Sequence, residues 1–371
     1  MTRMTGPLRD RRLISRRSLL IGGSGLLAAY AVGCGDDDKP ASSTASPAAT
    51  GTPAPTTATA TPALTPGVLQ WQRIGVSGNL PSGRTDHSLA SDGRTLILFG
   101  GRTNGAPLGD LWAYDLAAGT WLQITADVAP PDRFGHNGVY DTTNKRMLIF
   151  GGQAGGSFFD DVWALENNTG WRQLEVAGPA QRYGAASALD ADGRLLVSHG
   201  FTNEGRFDDT WSLDPSFVWA DVSAAGTRPI KRCLCRGAWD TKRNRFLMFG
   251  GQTDGTPFLG DLWAFDGHTW TEITTEPKPS PRNFYAMAET DPGRIALFGG
   301  NTVDVPGAMN DLWFFDSATD TWTLAQPEGD PPSARYGHDA VWLPDSRRLI
   351  VFGGHDTTGD LNDLWELTIP A

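Results

Sequence analysis

Cysteine is scarce in this chain, with three residues in 371, and three cysteines cannot build a disulfide framework in place of a hydrophobic core. Basic residues are too few to balance the acidic ones: 31 Lys and Arg face 42 Asp and Glu, for a formal net charge of −11. Nucleic acid is therefore not an expected partner, because phosphate binding needs a net basic surface. The apolar run at residues 19–32 has only 14 residues, fewer than the roughly 20 that a membrane-spanning helix needs.

Glycine, proline and tryptophan are abundant, with 45, 25 and 14 residues respectively. Many glycines together with many aromatic residues are typical of short strands joined by tight turns rather than of long helices. The length allows one large domain or two ordinary ones. The composition therefore favours a β-rich protein.

Residues 1–33 have the composition of an export signal peptide, with a basic stretch followed by the short apolar run. The junction "SRRSLL" at residues 15–20 contains Arg16 and Arg17 and resembles a twin-arginine export signal. The alternative is an ordinary secretory signal whose basic region happens to contain paired arginines. Either reading predicts a protein that leaves the cytoplasm.

The sequence "AVGC" at residues 31–34 resembles a bacterial lipobox in which Cys34 is lipidated, although Ala31 departs from the usual Leu. The alternative is cleavage after Ala31 at a small-x-small site. Residues 34–66, rich in Ala, Ser, Thr and Pro, predict a disordered tether. The expectation is an extracytoplasmic protein on the outer face of the bacterial cytoplasmic membrane, touching the membrane through its lipid anchor alone, with secretion as the alternative.

The chain repeats beyond residue 67, and Trp71, Trp121 and Trp171 follow one another at intervals of 50 residues. Each repeat has an Arg, then an apolar segment ending in Gly-Gly or a variant, then Asp-Leu-Trp or a variant. The six apolar segments are "LILFGG" (96–101), "MLIFGG" (147–152), "LLVSHG" (195–200), "FLMFGG" (246–251), "IALFGG" (295–300) and "LIVFGG" (349–354). This period and these motifs resemble the kelch repeat over residues 68–371.

Each repeat is predicted to form four short antiparallel strands, a to d, and four-stranded sheets arranged around an axis form a propeller. A second Trp marks strand d in five repeats, but the sixth repeat stops after Trp365. The strand predicted at residues 68–75, which contains Trp71, is therefore expected to complete the last blade. The sequence predicts an all-β, six-bladed kelch-type β-propeller over residues 67–371, closed by its N-terminal strand and monomeric.

Two series of residues are expected to share one face, because strand a begins where strand b ends. The kelch resemblance implies that strand a is innermost and that partners bind at this mouth. The first series opens strand a: Arg84, Arg133, Arg182, Arg232, Arg282 and Arg335. The second follows the Gly-Gly positions: Arg102, Gln153, Phe201, Gln252, Asn301 and His355.

The six arginines of the first series allow two interpretations. In the first, they form a basic ring that holds an anion. In the second, each arginine pairs with the Asp before Leu-Trp. The second is favoured because a feature present in all six repeats is expected to serve the scaffold. The aspartates are Asp110, Asp161, Asp209, Asp261, Asp311 and Asp363. Arg102 has no such Asp series beside it, and its side chain is expected to be free. Phe201 is expected to add an aromatic surface to the mouth. The "VP" of residues 305–306 is expected to form an apolar loop tip.

A third series stands three residues after the arginines: His87, His136, Ala185, Cys235, Tyr285 and His338. Hydrogen-bonded structural histidines are expected there rather than metal ligands, because adjacent inner strands are too far apart for one ion. Cys233 and Cys235 are expected on one face of a strand as packing residues or free thiols. No metal site and no cofactor is expected.

The leading functional hypothesis is a non-catalytic binding module that recognises a protein, peptide or glycan at the mouth. The alternative is a sugar-acting enzyme, similar to the sialic-acid epimerases or copper oxidases built on kelch propellers. A copper oxidase needs a Tyr–Cys crosslink and further Tyr and His ligands. Tyr285 and Cys235 lie one predicted blade apart, and no match to the remaining ligands is found.

Overall fold

A computed structural model describes residues 67–256, 258–302 and 307–370. The predictions for Arg16, Arg17, Cys34, the 34–66 tether and the "VP" loop tip lie outside these residues. In the part of the chain described, no helix is long and apolar enough to cross a membrane. The described residues are almost entirely strands and turns, as the composition predicts.

Six four-stranded antiparallel sheets form the six blades. An N-terminal strand, β1 (Gln70–Ile74), precedes them. Blade 1 contains β2 (Ser88–Ser91), β3 (Thr95–Thr103), β4 (Ala106–Asp115) and β5 (Thr120–Ile124). Blade 2 contains β6 (Asn137–Asp141), β7 (Arg146–Phe150), β10 (Val162–Glu166) and β11 (Gly170–Leu174), with a hairpin of β8 (Gln153–Ala154) and β9 (Ser157–Phe158) between its middle strands.

The other four blades repeat this order. Blade 3 contains β12 (Ala186–Leu189), β13 (Leu195–Ser198), β16 (Thr210–Leu213) and β17 (Trp219–Asp221), with a hairpin of β14 (Phe201–Thr202) and β15 (Gly205–Arg206). Blade 4 contains β18 (Arg236–Asp240), β19 (Arg245–Gly251), β20 (Leu259–Phe265) and β21 (Trp270–Ile273). Blade 5 contains β22 (Ala286–Asp291), β23 (Arg294–Gly300), β24 (Met309–Asp316) and β25 (Thr321–Leu324). Blade 6 contains β26 (Asp339–Leu343), a 3-10 turn (Pro344–Ser346), β27 (Arg348–Asp356) and β28 (Gly359–Thr368).

The N-terminal strand closes the ring as the sequence predicts. Strand β1 pairs antiparallel with β28, with Trp71 opposite Leu367 and Arg73 opposite Trp365. It thereby becomes the fourth strand of blade 6. The strand covers 70–74 rather than the expected 68–75, because only these residues face β28 in register. Closure in this way covers an edge that would otherwise be open to pairing with another chain.

The first strand of each blade lines the axis. Strands β2, β6, β12, β18, β22 and β26 each contact the corresponding strand of both neighbouring blades. The kelch resemblance implied this innermost position for strand a, and the structure confirms it.

The tryptophans of strand d pack each blade against the one before it. The ring centroid of Trp171 in blade 2 lies 4.9 Å from that of Phe99 in blade 1, and Trp121 in blade 1 lies 5.3 Å from Phe352 in blade 6. The same contact joins Trp71 to Phe298, Trp219 to Phe150 and Trp322 to Phe249. Each such aromatic pair adds about 0.5–1.5 kcal/mol to the stabilisation from buried area alone.

Blade 3 departs from this pattern and compensates for it. Its strand b ends at Ser198 and is followed by His199, where the other blades have Phe and the first Gly. His199 adopts a φ of 65°, a left-handed conformation that costs a non-glycine residue about 1–3 kcal/mol. Its imidazole lies 6.1 Å from Trp270 in an edge-on arrangement. The histidine ring therefore takes over the interblade contact that the missing phenylalanine makes elsewhere.

Candidate functional site: the mouth face and the central channel

The six arginines that open strand a are buried and paired. In blade 4, Arg232 Nη1 lies 2.6 Å from Asp261 Oδ1, and its Nη2 lies 2.7 Å from Oδ2. Its Nη1 also donates to the Gly250 carbonyl at 3.0 Å. The indole Nε1 of Trp263 donates to the same carboxylate at 2.7 Å. An Arg–Asp–Trp triad thus ties the segment that leads into strand a to strand c, across the first glycine of the Gly-Gly pair in strand b.

The same triad recurs in every blade. The Arg–Asp pairs are Arg84–Asp110, Arg133–Asp161, Arg182–Asp209, Arg232–Asp261, Arg282–Asp311 and Arg335–Asp363, with N–O distances of 2.6–2.7 Å. Each arginine residue is at most 1% exposed. Of the two alternatives raised by the sequence, pairing is therefore the one found. These arginines form no basic ring at the mouth, because burial and bidentate pairing leave no exposed guanidinium for a ligand.

The electrostatics of the triad agree with its geometry. Burial of Asp261 opposes ionisation, but hydrogen bonds from Arg232 and Trp263 outweigh it and hold the pKa of this carboxyl below its ordinary value. Asp110, Asp209 and Asp363 have lowered pKa values for the same reason, with burial again opposed by their arginines. These four carboxylates therefore remain ionised at neutral pH and serve as counterions to their arginines.

The residues that follow Gly-Gly share one face with the start of strand a, as the strand order predicts. Each forms an antiparallel bridge with the residue after one of the six arginines. The bridges are Thr85–Arg102, Phe134–Gln153, Tyr183–Phe201, Cys233–Gln252, Asn283–Asn301 and Tyr336–His355. We call the surface formed by these pairs and the loops between strands b and c the mouth face.

The six candidate specificity residues are not equally accessible. Arg102, Gln153, Asn301 and His355 are partly exposed. Phe201 and Gln252 are buried, each 7% exposed. Phe201 packs edge-on against Phe158, with ring centroids 6.0 Å apart. The expectation that Phe201 presents an aromatic surface is therefore wrong, because the β8–β9 hairpin of the neighbouring blade contributes to covering it.

Arg102 has a partner that the sequence did not reveal. Its Nε lies 2.8 Å from Oδ2 of Asp86, whose side chain is 4% exposed, and its guanidinium lies 4.9 Å from the ring centroid of Phe134. Burial raises the pKa of Asp86, and Arg102 opposes that rise. The expectation of a free Arg102 is therefore wrong. Asp86 was missed because it lies in the segment before strand a and not in the repeated Asp series.

We predict that Arg102→Ala destabilises the domain by about 1–3 kcal/mol at pH 7, because it removes the salt-bridge partner of the buried Asp86 carboxylate. Asp86 has a raised pKa in the folded state, so protonating it at low pH favours folding. The loss should therefore shrink as the pH falls towards 4. Urea unfolding of parent and variant between pH 7 and 4 measures this. In an Asp86→Asn, Arg102→Ala double variant, the loss of stability should not depend on pH. If Arg102→Ala loses the same stability at pH 7 and pH 4, the prediction is contradicted.

A closed ring of backbone hydrogen bonds forms the floor of the mouth. Two residues after each arginine, the chain adopts a left-handed conformation with φ between 54° and 67°. The amide of each of these residues donates to the carbonyl of its counterpart in the preceding blade, at 2.7–3.3 Å. The ring runs through Asp86, Gly135, Gly184, Leu234, Phe284 and Gly337. Sequence reasoning missed it, because three of the six positions are not glycine.

A central channel lies on the other side of this ring. It is a cavity of about 320 Å³ to which every inner strand contributes. It extends to the face that carries the turns between strands a and b, where Asp190, Thr241 and Glu289 line it. Its walls include one apolar residue from each blade: Leu89, Val139, Leu189, Ala238, Met287 and Ala340. This cavity therefore lies across the ring from the mouth face, where the sequence predicts ligand binding.

The histidines that follow the arginines are buried among the inner strands. His136 Nε2 lies 2.8 Å from Ser88 Oγ of the preceding blade, and His338 Nε2 lies 3.1 Å from the Phe298 carbonyl. His87 has no hydrogen-bond partner among the described residues and packs edge-on against Phe352 at 5.4 Å. The prediction of hydrogen-bonded histidines is therefore confirmed at two positions and wrong at His87. In the described ranges, no group of three or more His, Cys, Asp or Glu residues is arranged to hold a metal ion.

We predict that His338→Gln makes the domain less sensitive to acid. Burial, with Arg335 adding to it, lowers the pKa of His338 to about 3, whereas an unfolded histidine titrates near 6.5. The unfolded chain therefore binds the extra proton as the pH falls below about 6.5, and stability is lost by about 1 kcal/mol per pH unit. Urea midpoints at pH 7, 6 and 5 should show a shallower decline for the variant than for the parent. The exposed His268→Gln serves as control, and equal declines in both variants would refute the assignment.

The cysteines and Tyr285 have structural contacts. Cys233 and Cys235 are buried free thiols, but neither lies in a strand as expected, because Leu234 between them is left-handed and β18 begins at Arg236. Burial raises the pKa of Cys235 to about 11. The Tyr285 hydroxyl donates to the Phe249 carbonyl and accepts from the Arg236 amide at 3.0 Å. Tyr285 thus makes the same kind of contact to the preceding blade as His136 and His338.

Sequence comparison finds relatives among much longer proteins. Adagio-like protein 3 of Oryza sativa subsp. japonica is 27% identical over 328 residues, which cover 81% of this chain and 51% of that protein. Acyl-CoA-binding domain-containing protein 4 of Arabidopsis thaliana is 27% identical over 305 residues, with 78% and 38% covered. Leucine-zipper-like transcriptional regulator 1 homolog of Drosophila melanogaster is 25% identical over 305 residues, with 76% and 25% covered. The chain thus spans about half the length of these relatives or less.

The origin of the relatives corrects the predicted location. They come from two plants and a fly, all eukaryotes. This contradicts a bacterial lipoprotein on the outer face of the cytoplasmic membrane, a location inferred from the short motifs around Arg16, Arg17 and Cys34. Paired arginines and a cysteine flanking an apolar run are few residues, whereas the matches to the relatives extend over about four-fifths of the chain.

Comparison with family models gives a match to the KLHDC2/KLHL20/DRC7 Kelch-repeats domain over residues 62–238 and 216–370. Together the two stretches take in all six blades. The kelch resemblance inferred from the Gly-Gly and Trp motifs is thereby confirmed. The chain belongs to the KLHDC2/KLHL20/DRC7 Kelch-repeats domain family.

Proposed function

We propose that the propeller is a non-catalytic binding module that recognises a protein or peptide at its mouth face. One observation carries this proposal: the Arg–Asp–Trp triads are the same in all six blades, whereas the exposed residues of the mouth face differ from blade to blade. Side chains repeated six times serve the fold. A surface that discriminates between partners needs different side chains around the ring, and the mouth face has them.

The shape of the mouth face favours a macromolecule over a small sugar. The hydrogen-bonded ring closes its floor, and the cavity of about 20 Å³ at the ring, which is lined on the channel side as well, by Arg236 among others, is too small to be a ligand site. A small molecule needs a concavity of roughly 300–1,000 Å³. A protein or peptide can instead spread across several blades, with partly exposed Phe158 and Tyr336 as aromatic contacts. Binding of a glycan, the other ligand class that the sequence allows, is an outcome that the test distinguishes.

The test screens the full chain against peptide and glycan arrays and measures each hit by calorimetric titration. Phe158→Ala and Tyr336→Ala should each weaken peptide binding by about tenfold or more, as expected for aromatic contacts at the centre of an interface. Arg94→Ala, an exposed change in a turn at the opposite face, is the matched control and should leave affinity unchanged. Hits confined to glycans, or peptide binding that only the Arg94 change weakens, would overturn the proposal.

A further inference from the structure

Arg236 is a cation placed where no other blade has one. It stands four residues after Arg232, at the start of β18, and lines the central channel. The corresponding residues of the other blades are Ser88, Asn137, Ala186, Ala286 and Asp339. Aligning the repeats by their arginines would have revealed this single basic residue from the sequence. An arginine on an innermost strand faces a confined space, so its charge needs a partner.

Within the described ranges, the Arg236 guanidinium has no hydrogen bond or ion pair. The polar side chains in the same layer have other hydrogen-bond partners, although the Arg236 charge opposes the rise that burial gives the pKa of Asp339 and of Asp86. Asn137 Nδ2 donates to Ser187 Oγ at 2.9 Å, and the two Asp339 oxygens accept the amides of Leu89 and Ala340 at 2.9 and 3.0 Å. Arg236 therefore contrasts with the six triad arginines, each of which has a carboxylate within 2.7 Å. Its five N–H donors are available to a ligand.

The channel around Arg236 is otherwise mostly apolar. Leu89, Val139, Leu189 and Met287 line its walls, and its volume of about 320 Å³ lies within the range of small-molecule sites. The hydrogen-bonded ring closes the mouth end, so a ligand enters from the face of the a–b turns. Such a ligand needs an apolar body that fits the walls and one group that matches a guanidinium.

We propose that the central channel binds a small monocarboxylate with an apolar body, whose carboxylate pairs with Arg236. Planar carboxylates match the fork of a guanidinium and form two parallel hydrogen bonds with it. Asp339 in the same layer, together with Asp190 and Glu289 nearer the opening, disfavours ligands with a second negative charge. This site lies across the hydrogen-bonded ring from the mouth face and is independent of the proposed function.

The experiment titrates the full chain with sodium benzoate and sodium hexanoate by isothermal calorimetry, with benzyl alcohol as the uncharged counterpart of benzoate. Benzoate, hexanoate or both should bind, and benzyl alcohol should bind at least tenfold more weakly than benzoate. Arg236→Gln should weaken carboxylate binding at least tenfold, a change of about 1.4 kcal/mol. Arg236→Lys, which keeps the charge but not the fork, should lie between parent and Gln variant.

Folding of the variants is checked by thermal melts. The Arg236 charge acts on the buried Asp86 and Asp339 carboxyls, so Arg236→Gln should fold but melt somewhat below the parent at pH 7, and Arg94→Gln in an exposed turn controls for loss of a surface charge. Equal benzoate and hexanoate affinities in parent and Arg236→Gln would overturn the proposal. So would the absence of binding of both carboxylates to the folded parent.

Discussion

Replacing Arg232 by alanine should lower the free energy of unfolding by about 3–5 kcal/mol, because it leaves the Asp261 carboxylate half of a buried ion pair uncompensated. Arg232 donates four hydrogen bonds, to Ile230, Gly250 and both oxygens of Asp261, and all four are lost. Trp263 would then be the one remaining side-chain donor to that carboxylate among those described. Unfolding in urea, followed by tryptophan fluorescence, measures the change.

Two further variants show whether pairing, and not bulk, is responsible. Arg232→Lys keeps the charge but cannot make the bidentate contact, so we expect an intermediate loss. Arg94→Ala removes an exposed arginine and should alter stability by less than about 0.5 kcal/mol. If Arg232→Ala stays within that same range, the triads contribute nothing to stability and the scaffold assignment fails.

Deletion of residues 68–75 should prevent the propeller from forming a stable monomer. It removes all five pairs between β1 and β28 and takes Trp71, 3% exposed, out of the interface with blade 5. Loss of a buried tryptophan alone costs about 3–5 kcal/mol, and the freed edge of β28 becomes available to other chains. We expect a lower melting temperature and association on size-exclusion chromatography with light scattering.

The point variant Trp71→Ala separates packing from edge exposure, because it keeps the backbone ladder. It should be destabilised by about 3–5 kcal/mol but remain monomeric. An eight-residue deletion within residues 40–66, where the composition predicts no folded structure, controls for chain length. A 68–75 deletion that melts with this control and stays monomeric would show that the ring closes in another way.

The scaffold could be read from the sequence because its signals recur. Six copies of the Gly-Gly and Trp motifs fix the strand order, and the unmatched Trp71 identifies the closing strand. Pairing of Arg232 with Asp261 could also be anticipated, since both belong to series with one member per blade. A single short apolar segment does not by itself identify a strand, but six copies of the same pattern do.

The candidate sites were harder to anticipate because they depend on residues that occur once. Asp86 and Arg236 belong to no repeated series, yet one neutralises Arg102 and the other lines the channel. Burial of Phe201 depends on a hairpin from the neighbouring blade, a contact between segments about 40 residues apart that no local pattern encodes. Sequence patterns locate elements, whereas accessibility is decided by what packs over them.

The closing strand imposes an order on how this protein is made. Strand β1 leaves the ribosome before any other propeller strand, but its partner β28 is synthesised after all the others, and the pairing joins Gln70 to Thr368. Contacts this distant in sequence form late, because the loop they close must first be ordered. Blades 1 to 5 can assemble during translation while Trp71 waits unpaired. Completion of the ring is thus a single late event. If translation stops before β28 is made, the incomplete propeller keeps β1, with Trp71, exposed and without its partner strand.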